Sequence, residues 1–311
     1  MNKLTKLLQQ QMPQQRLNPL NDYLFYKIMG EKGDEIQLLG FLNAVLGKTG
    51  DDRFTSVEII ENKSFTPKVI GDKASSLDVR AVLQGKTKVN IEVQIRNQHN
   101  MDRRSLFYWS KEYAESLQAG QDYRELPDVI AINIVDFDYP PILNFHTRFH
   151  LREDSDRDLI LTDALEIHFI NMVQYRKQAK KGAVNDPLSR WMAWLNESSP
   201  PELIAEVVKM DTAIETANER MVYVTGDKEA IRAYERRQMA LSDYNSSMNY
   251  AREEGHRQGM RKGMREGIRE GMREGIAKNT LEIARKMKNA GRPLSEIMEF
   301  TGLPIETITQ L

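Results

Sequence analysis

Apolar residues take every second position in two neighbouring segments, Leu77, Val79, Ala81 and Leu83 in the first and Val89, Ile91, Val93 and Ile95 in the second. That is the period-two pattern of half-buried strands, and the loop Gln84-Gly85-Lys86 between them predicts a hairpin. If Leu83 pairs with Thr87 around this three-residue loop, Asp78 stands directly across from Glu92, with Asp78, Glu92 and Gln94 all on the face away from the apolar stripe. Opposed side chains of this kind lie roughly 4.5 to 5.5 Å apart at Cβ. A two-residue loop would shift the register by one and turn Asp78 away from Glu92. Val129 to Val135 is instead a nearly continuous β-branched run, as expected of a strand buried on both sides. Phe54 to Ile60 reads as a first strand, and Phe145 to Leu151 and Leu165 to Ile170 as later ones, with Glu166 and His168 facing outward.

The pattern turns helical elsewhere. Leu24, Ile28, Leu38, Leu39, Leu42 and Val45 form apolar faces around a break at Gly30 and Gly33. Met101 to Ala119 predicts a helix on which Arg104, Tyr108 and Lys111 share a face. Helix, three strands, helix, strand is an α/β order. From Pro187 to about Ala251, Trp191, Trp194, Leu195, Leu203, Ile204, Val207 and Val208 predict an amphipathic helical domain with the aromatics in its core.

A four-residue repeat follows. Gly255, Gly259, Gly263, Gly267, Gly271 and Gly275 are followed by Met260, Met264, Ile268, Met272 and Ile276, with Arg257, Arg261, Arg265, Arg269 and Arg273 in a third phase. The period exceeds 3.6, so each class winds slowly around a helix and any supercoil is right-handed. Each helical glycine costs about 0.8 to 1.0 kcal/mol relative to alanine, so six cost roughly 5 to 6 kcal/mol. Two readings stand, a helix that recovers the loss against a partner and a flexible tether. The tail reads as a small helix-turn-helix turning at Gly291-Arg292-Pro293 and Gly302-Leu303-Pro304, and its last segment carries no Arg or Lys to read bases. The expected division is a loose arm over 1–17, an α/β domain over 18–180, a helical domain over 187–250, the repeat over 251–279 and an assembly module over 280–311.

Composition narrows the chemistry. With 311 residues, 40% of them hydrophobic, the chain can bury a core. No cysteine occurs, which rules out disulfides and thiolate metal sites and fits a cytoplasmic protein. No run of eighteen apolar residues and no apolar N-terminal stretch of signal length is present. A net charge of -1 places any nucleic-acid contact in local basic patches. His99, His146, His150, His168 and His256 form no zinc-spaced pair, and no P-loop or dinucleotide fingerprint appears.

Two carboxylates held across a hairpin repel unless a proton or cation lies between them, which points to a hard, oxygen-ligated ion such as Mg²⁺. The plain alternative is a solvated polar face. Asp78 followed by Glu92-Val93-Gln94 resembles the core motif of PD-(D/E)XK nucleases, with glutamine where lysine is usual. Asn18 to Phe25, Leu39 to Leu46, Arg104 to Tyr108, Gly120 to Tyr123 and Asp128 to Ile134 follow in the order of the Rpn group of recombination-promoting nucleases, a transposase-like branch. The resemblance implies a restriction-endonuclease-like core, Asp78, Glu92 and the Val93 carbonyl as metal ligands, and Gln94 as a catalytic residue that orients water without the charge of lysine. It implies a Mg²⁺-dependent DNA endonuclease in a recombination, mobile-element or phage-defence setting. The alternative is a catalytically weak relative acting as an interaction or inhibitory module. Arg104 reads as a phosphate contact or a helix-surface salt bridge, Tyr108 as a site-lining or a core aromatic, and Asp22 as an acid approaching the metal or a helix cap. Self-association is expected through the C-terminal region, a homodimer by default.

Overall fold

A computed structural model describes residues 16–33, 35–60, 78–139, 142–178 and 184–311, and most of the expected N-terminal arm lies outside them. The chain divides into two compact units, Met1–Gln238 and Met239–Leu311.

In the first unit the described strands are β1 (Val57–Ile59), β2 (Val79–Leu83), β3 (Thr87–Gln94), β4 (Val129–Val135), β5 (His146–Phe149) and β6 (Leu165–Asn171), in one sheet of order β1-β2-β3-β4-β6-β5. β3, β4 and β6 are parallel; β1 and β5 run antiparallel at the edges, and β2 and β3 form the antiparallel hairpin. Its register has Leu83 opposite Thr87 and Val79 opposite Ile91. The loop adopts left-handed backbone at Gln84 and Gly85, φ 49° and 65°, which closes three residues without disturbing the ladder.

Alternation sorts the two faces. Val79, Ala81, Leu83, Val89, Ile91 and Val93, with Ile130, Ile132 and Ile134 of β4, enter the main core. Over that face lie α1 (Asp22–Met29) and α2 (Ile36–Val45), and the same core takes in α5 (Pro187–Leu195), α6 (Pro201–Met210) and α7 (Thr212–Gly226). Trp191 and Trp194 are fully buried there, with Trp191 edge-on to Phe41 at 5.5 Å. Gly40 is needed for the fit: a Cβ at this position would come within 2.2 Å of the Ala213 Cβ, so the α2 backbone packs directly on the Ala213 methyl of α7. The opposite face holds a smaller core of Met101, Ala131, Val135, Ile142, Ile167 and Phe169 beside α3 (Met101–Ala114), which ends a turn earlier than the pattern predicts. α4 (Met172–Gln178) follows β6 directly.

His168 departs from expectation. It is fully buried rather than outward, because its positions on β6 also face a covered side of the sheet and both its ring nitrogens are engaged, Nδ1 with His146 Nε2 at 2.9 Å and Nε2 with Glu166 Oε1 at 2.7 Å.

α8 (Lys228–Asn289) starts in the first unit and supplies the long helix of the second. The repeat is helical throughout, and no atom lies within 4 Å of a Cβ built at any of its six glycines. At its end α9 (Leu294–Thr301) and α10 (Ile305–Gln310) close a small core of Ala284, Ile297 and Ile308 through left-handed turns at Gly291 and Gly302.

Candidate active site

Carrying the hairpin register one step past Val79 and Ile91 sets Asp78 across from Glu92. The backbone groups of residues 88 and 94 point to the β4 side, since Lys88 N donates to Asp128 O at 2.9 Å and Gln94 O accepts from Asp136 N at 3.1 Å. Successive peptide groups alternate sides, so position 92 also faces β4 and makes a non-hydrogen-bonded pair with Asp78, the closer of the two antiparallel kinds. By the same alternation the carbonyl of Val93 points to the β2 side, where Asp78 stands. Extended in this way, the register would bring two carboxylates and one main-chain oxygen to this end of the hairpin.

Glu92 is 2% exposed, under the first turns of α3. Arg104 reaches it from that helix, with Nε 2.7 Å and Nη2 2.5 Å from Oε1. The guanidinium also lies over the Tyr108 ring, 5.1 Å from its centroid. Burial works against the charge of Arg104, but the hydrogen bonds and charge of Glu92 outweigh it, with smaller help from Tyr108 and Asp78, and the pKa rises. Burial likewise raises the Tyr108 phenol; Arg104 opposes the rise, and both carboxylates add to it. Gln94 donates its Nε2 to the Arg96 carbonyl at 3.1 Å, so its Oε1 is the end chemically suited to accept from a water.

Asp22 is placed differently. Asn21 is the cap of α1, accepting from Leu24 N at 3.2 Å, and Asp22 sits in the first turn, 3.7 Å from Arg237. Burial raises its pKa, and Arg237 and, more weakly, Arg96 pull the other way. The cap of α1 is therefore Asn21 rather than Asp22.

The sequence reading passed over two groups around the site. Asn133 stands next to Glu92 across the parallel β3/β4 pair and links helix to sheet: its Oδ1 is 2.9 Å from Ser105 Oγ and its Nδ2 donates to His168 O at 3.1 Å. A lone amide inside the apolar run Val129–Val135 was the available signal. The other is Glu112, which pairs with Arg80 and, at 3.2 Å, with Lys88 on the same sheet face.

Asp78, Glu92 and the Val93 carbonyl offer only oxygen, the hard donor set that suits Mg²⁺. Among the described residues no group of three or more His, Cys, Asp or Glu could hold a metal. Two carboxylates and a carbonyl still fit Mg²⁺, which keeps several of its waters.

The family model for PD-(D/E)XK nuclease family transposases matches residues 19–251. The chain belongs to this family. Searches of curated proteins and of solved structures gave no match. As a PD-(D/E)XK family member the chain has the expected α/β core with added helices, and the matched span stops before the glycine repeat. Among the described residues, no helix is long and apolar enough to cross a membrane.

Proposed function

We propose that this PD-(D/E)XK family member is a Mg²⁺-dependent DNA endonuclease of the cytoplasm, serving recombination, a mobile element or phage defence. What supports the reading is the burial of Glu92 in a hairpin whose register, carried one step past the Val79–Ile91 pair, places Asp78 opposite it. Asp78, Glu92 and the Val93 carbonyl would hold the ion, which when bound polarises a phosphate and lowers the pKa of water. Gln94 Oε1 accepts a hydrogen bond from the attacking water and fixes its direction, without removing the proton as a base. Arg104 and Tyr108 flank the phosphate path from α3. The test is nicking of supercoiled plasmid with and without Mg²⁺, in the parent and in Asp78→Asn. Cation-dependent nicking that Asp78→Asn loses supports the reading. A folded parent that never nicks DNA favours the interaction or inhibitory module.

We also infer that the second unit pairs two copies of the chain. Met260, Met264, Ile268, Met272 and Ile276 are all more than half exposed, in a ridge beside the glycines. On a helical wheel the Glu266, Glu270, Glu274 ridge flanks this surface on the glycine side, and Arg265, Arg269, Arg273 on the other. A parallel partner sets each Glu ridge beside the Arg ridge of the other copy, whereas an antiparallel one opposes like charges. Ridges of i±4 spacing interdigitate at about -50°. Light scattering should give a dimer for the full chain and a monomer for Met264→Glu/Ile268→Glu; equal masses would defeat this.

A further inference from the structure

An Asp opposite a buried Glu carries two negative charges into a space where neither is comfortably solvated, so a resting protein without a metal needs another cation there. Arg104 is that cation. It lies two hydrogen bonds deep on Glu92 Oε1, at 2.7 and 2.5 Å, and the charge of Asp78 acts on it as well. Its position is braced from behind by the ring of Tyr108 at 5.1 Å.

We propose that Arg104 is the resident counter-cation of the Asp78–Glu92 pair: it offsets one of the pair's two charges in the resting protein and gives up Glu92 when a divalent ion enters. The inference rests on the metal-binding reading of these two residues. Both contacts fall on Oε1, so an ion that ligates through that oxygen competes with the guanidinium for its lone pairs, and one that ligates through Oε2 still meets the guanidinium's charge. Two cations also repel at this range. One unit of positive charge about 5 Å from a divalent ion weakens binding by roughly tenfold even at the dielectric of water. Affinity for the ion is therefore held down until Arg104 has somewhere else to go. A phosphate diester is such a place, since the planar fork matches its oxygens. Arg104 thus links the arrival of substrate to tight binding of the metal: the phosphate draws the guanidinium from Glu92 and leaves the carboxylate to the ion. This makes Arg104 a positioning residue that acts through Glu92.

The experiment is calorimetric titration of the full chain with Mn²⁺ alone, without DNA, in the parent, Arg104→Gln, Arg104→Lys and Tyr108→Leu. Arg104→Gln is expected to bind Mn²⁺ about tenfold tighter and to melt lower without the ion, with a larger rise when it is added. Arg104→Lys keeps the charge and stays within about threefold of the parent. Tyr108→Leu, which loosens the brace and leaves the pair and Arg104 in place, tightens binding by a smaller factor and serves if Arg104→Gln fails to fold. Unchanged or weaker Mn²⁺ binding in both Arg104→Gln and Tyr108→Leu would overturn the proposal, and Arg104 would then merely hold Glu92 in position. No Mn²⁺ binding in any folded variant, parent included, would instead remove the metal reading of the pair and this inference with it.

Discussion

Helix α3 is fastened to one face of the sheet by two ion-pair clusters of reversed polarity. At its start the helix supplies the cation, Arg104, and the sheet supplies Glu92, with the charge of Asp78 acting nearby. Two turns later the helix supplies the carboxylate, Glu112, and the sheet supplies Arg80 and Lys88. Among the named groups, the first cluster sets two carboxylates against one cation and the second two cations against one carboxylate. The excess is met differently. Arg80 and Lys88 keep 29% and 25% of their side chains in water, which screens their surplus, while Glu92 is almost wholly buried. On the proposed reading the carboxylate-rich cluster under the helix is a site for a cation, and the cation-rich one at the solvent edge is a clamp. Balance and burial separate the two, whereas the number of ion pairs would not.

The largest effects expected from substitution should therefore split by kind. Asp78→Asn is expected to lower Mg²⁺-dependent cleavage about a thousandfold, several kcal/mol of lost transition-state stabilisation, while the melting temperature holds or rises as a repulsion is relieved. Glu112→Ala should do the reverse. Removing the shared partner of Arg80 and Lys88 leaves two partly buried cations facing each other and costs about 3 kcal/mol in urea unfolding, with Mn²⁺ affinity unchanged. Should Asp78→Asn unfold as easily as Glu112→Ala, the two clusters are both clamps and the contrast is lost.

Gln94 sharpens the site end at a smaller scale. Gln94→Leu removes the amide oxygen and should slow cleavage about a hundredfold, whereas Gln94→Lys should stay active because it restores the residue usual in the resembling motif. Plasmid nicking rates decide this, and a Gln94→Leu protein as fast as the parent would make the residue structural.

The site end was legible from the sequence because it depends on parity. One loop length, Leu83 to Thr87, sets every partner in the hairpin, and alternation then assigns faces to Asp78, Glu92 and Gln94. The cores of α2 and α5 could be read for the same kind of reason, since Trp191 and Trp194 fall on helical spacing. The clamp could not. Arg80 and Glu112 lie 32 residues apart, and nothing in either segment names the other. Alternation also misled at His168: it puts residues 166 and 168 opposite Ile167 and Phe169, but in this sheet both faces are covered, so the face away from one core is turned to another. The end of α3 at Ala114 rather than Ala119, capped at Glu115, is a boundary to which helical periodicity is blind.

The smallest expected effect comes from a third cluster, on β5 and β6, which holds a histidine whose proton binding differs between the folded and unfolded chain just below neutral pH. Burial pushes the His146 imidazole down to about 4, with His168 and Arg148 adding to the shift and Glu166 opposing it. Unfolded, the same ring takes its proton near its ordinary value of 6.5. Between those values the unfolded chain binds more protons than the folded one, so stability falls as the pH drops from 6.5 towards 4 and is undiminished above 6.5. Glu166 extends the loss: burial would raise its pKa, but the hydrogen bond and charge of His168 outweigh it, and the lowered value means its contribution disappears as the pH falls further. For one group the slope cannot exceed about 1.4 kcal/mol per pH unit, and partial exposure of His146 to water makes it smaller. Urea unfolding at pH 7.5, 6.5, 5.5 and 4.5 should trace this decline in the parent, and His146→Gln should flatten it over the lower two intervals. Asp78→Asn should leave that part of the curve unchanged, because its carboxylate belongs to the other edge of the sheet. An equal slope in His146→Gln would assign the decline to carboxylates elsewhere, and the β5–β6 cluster would then be a neutral packing feature with no part in how the fold responds to acid.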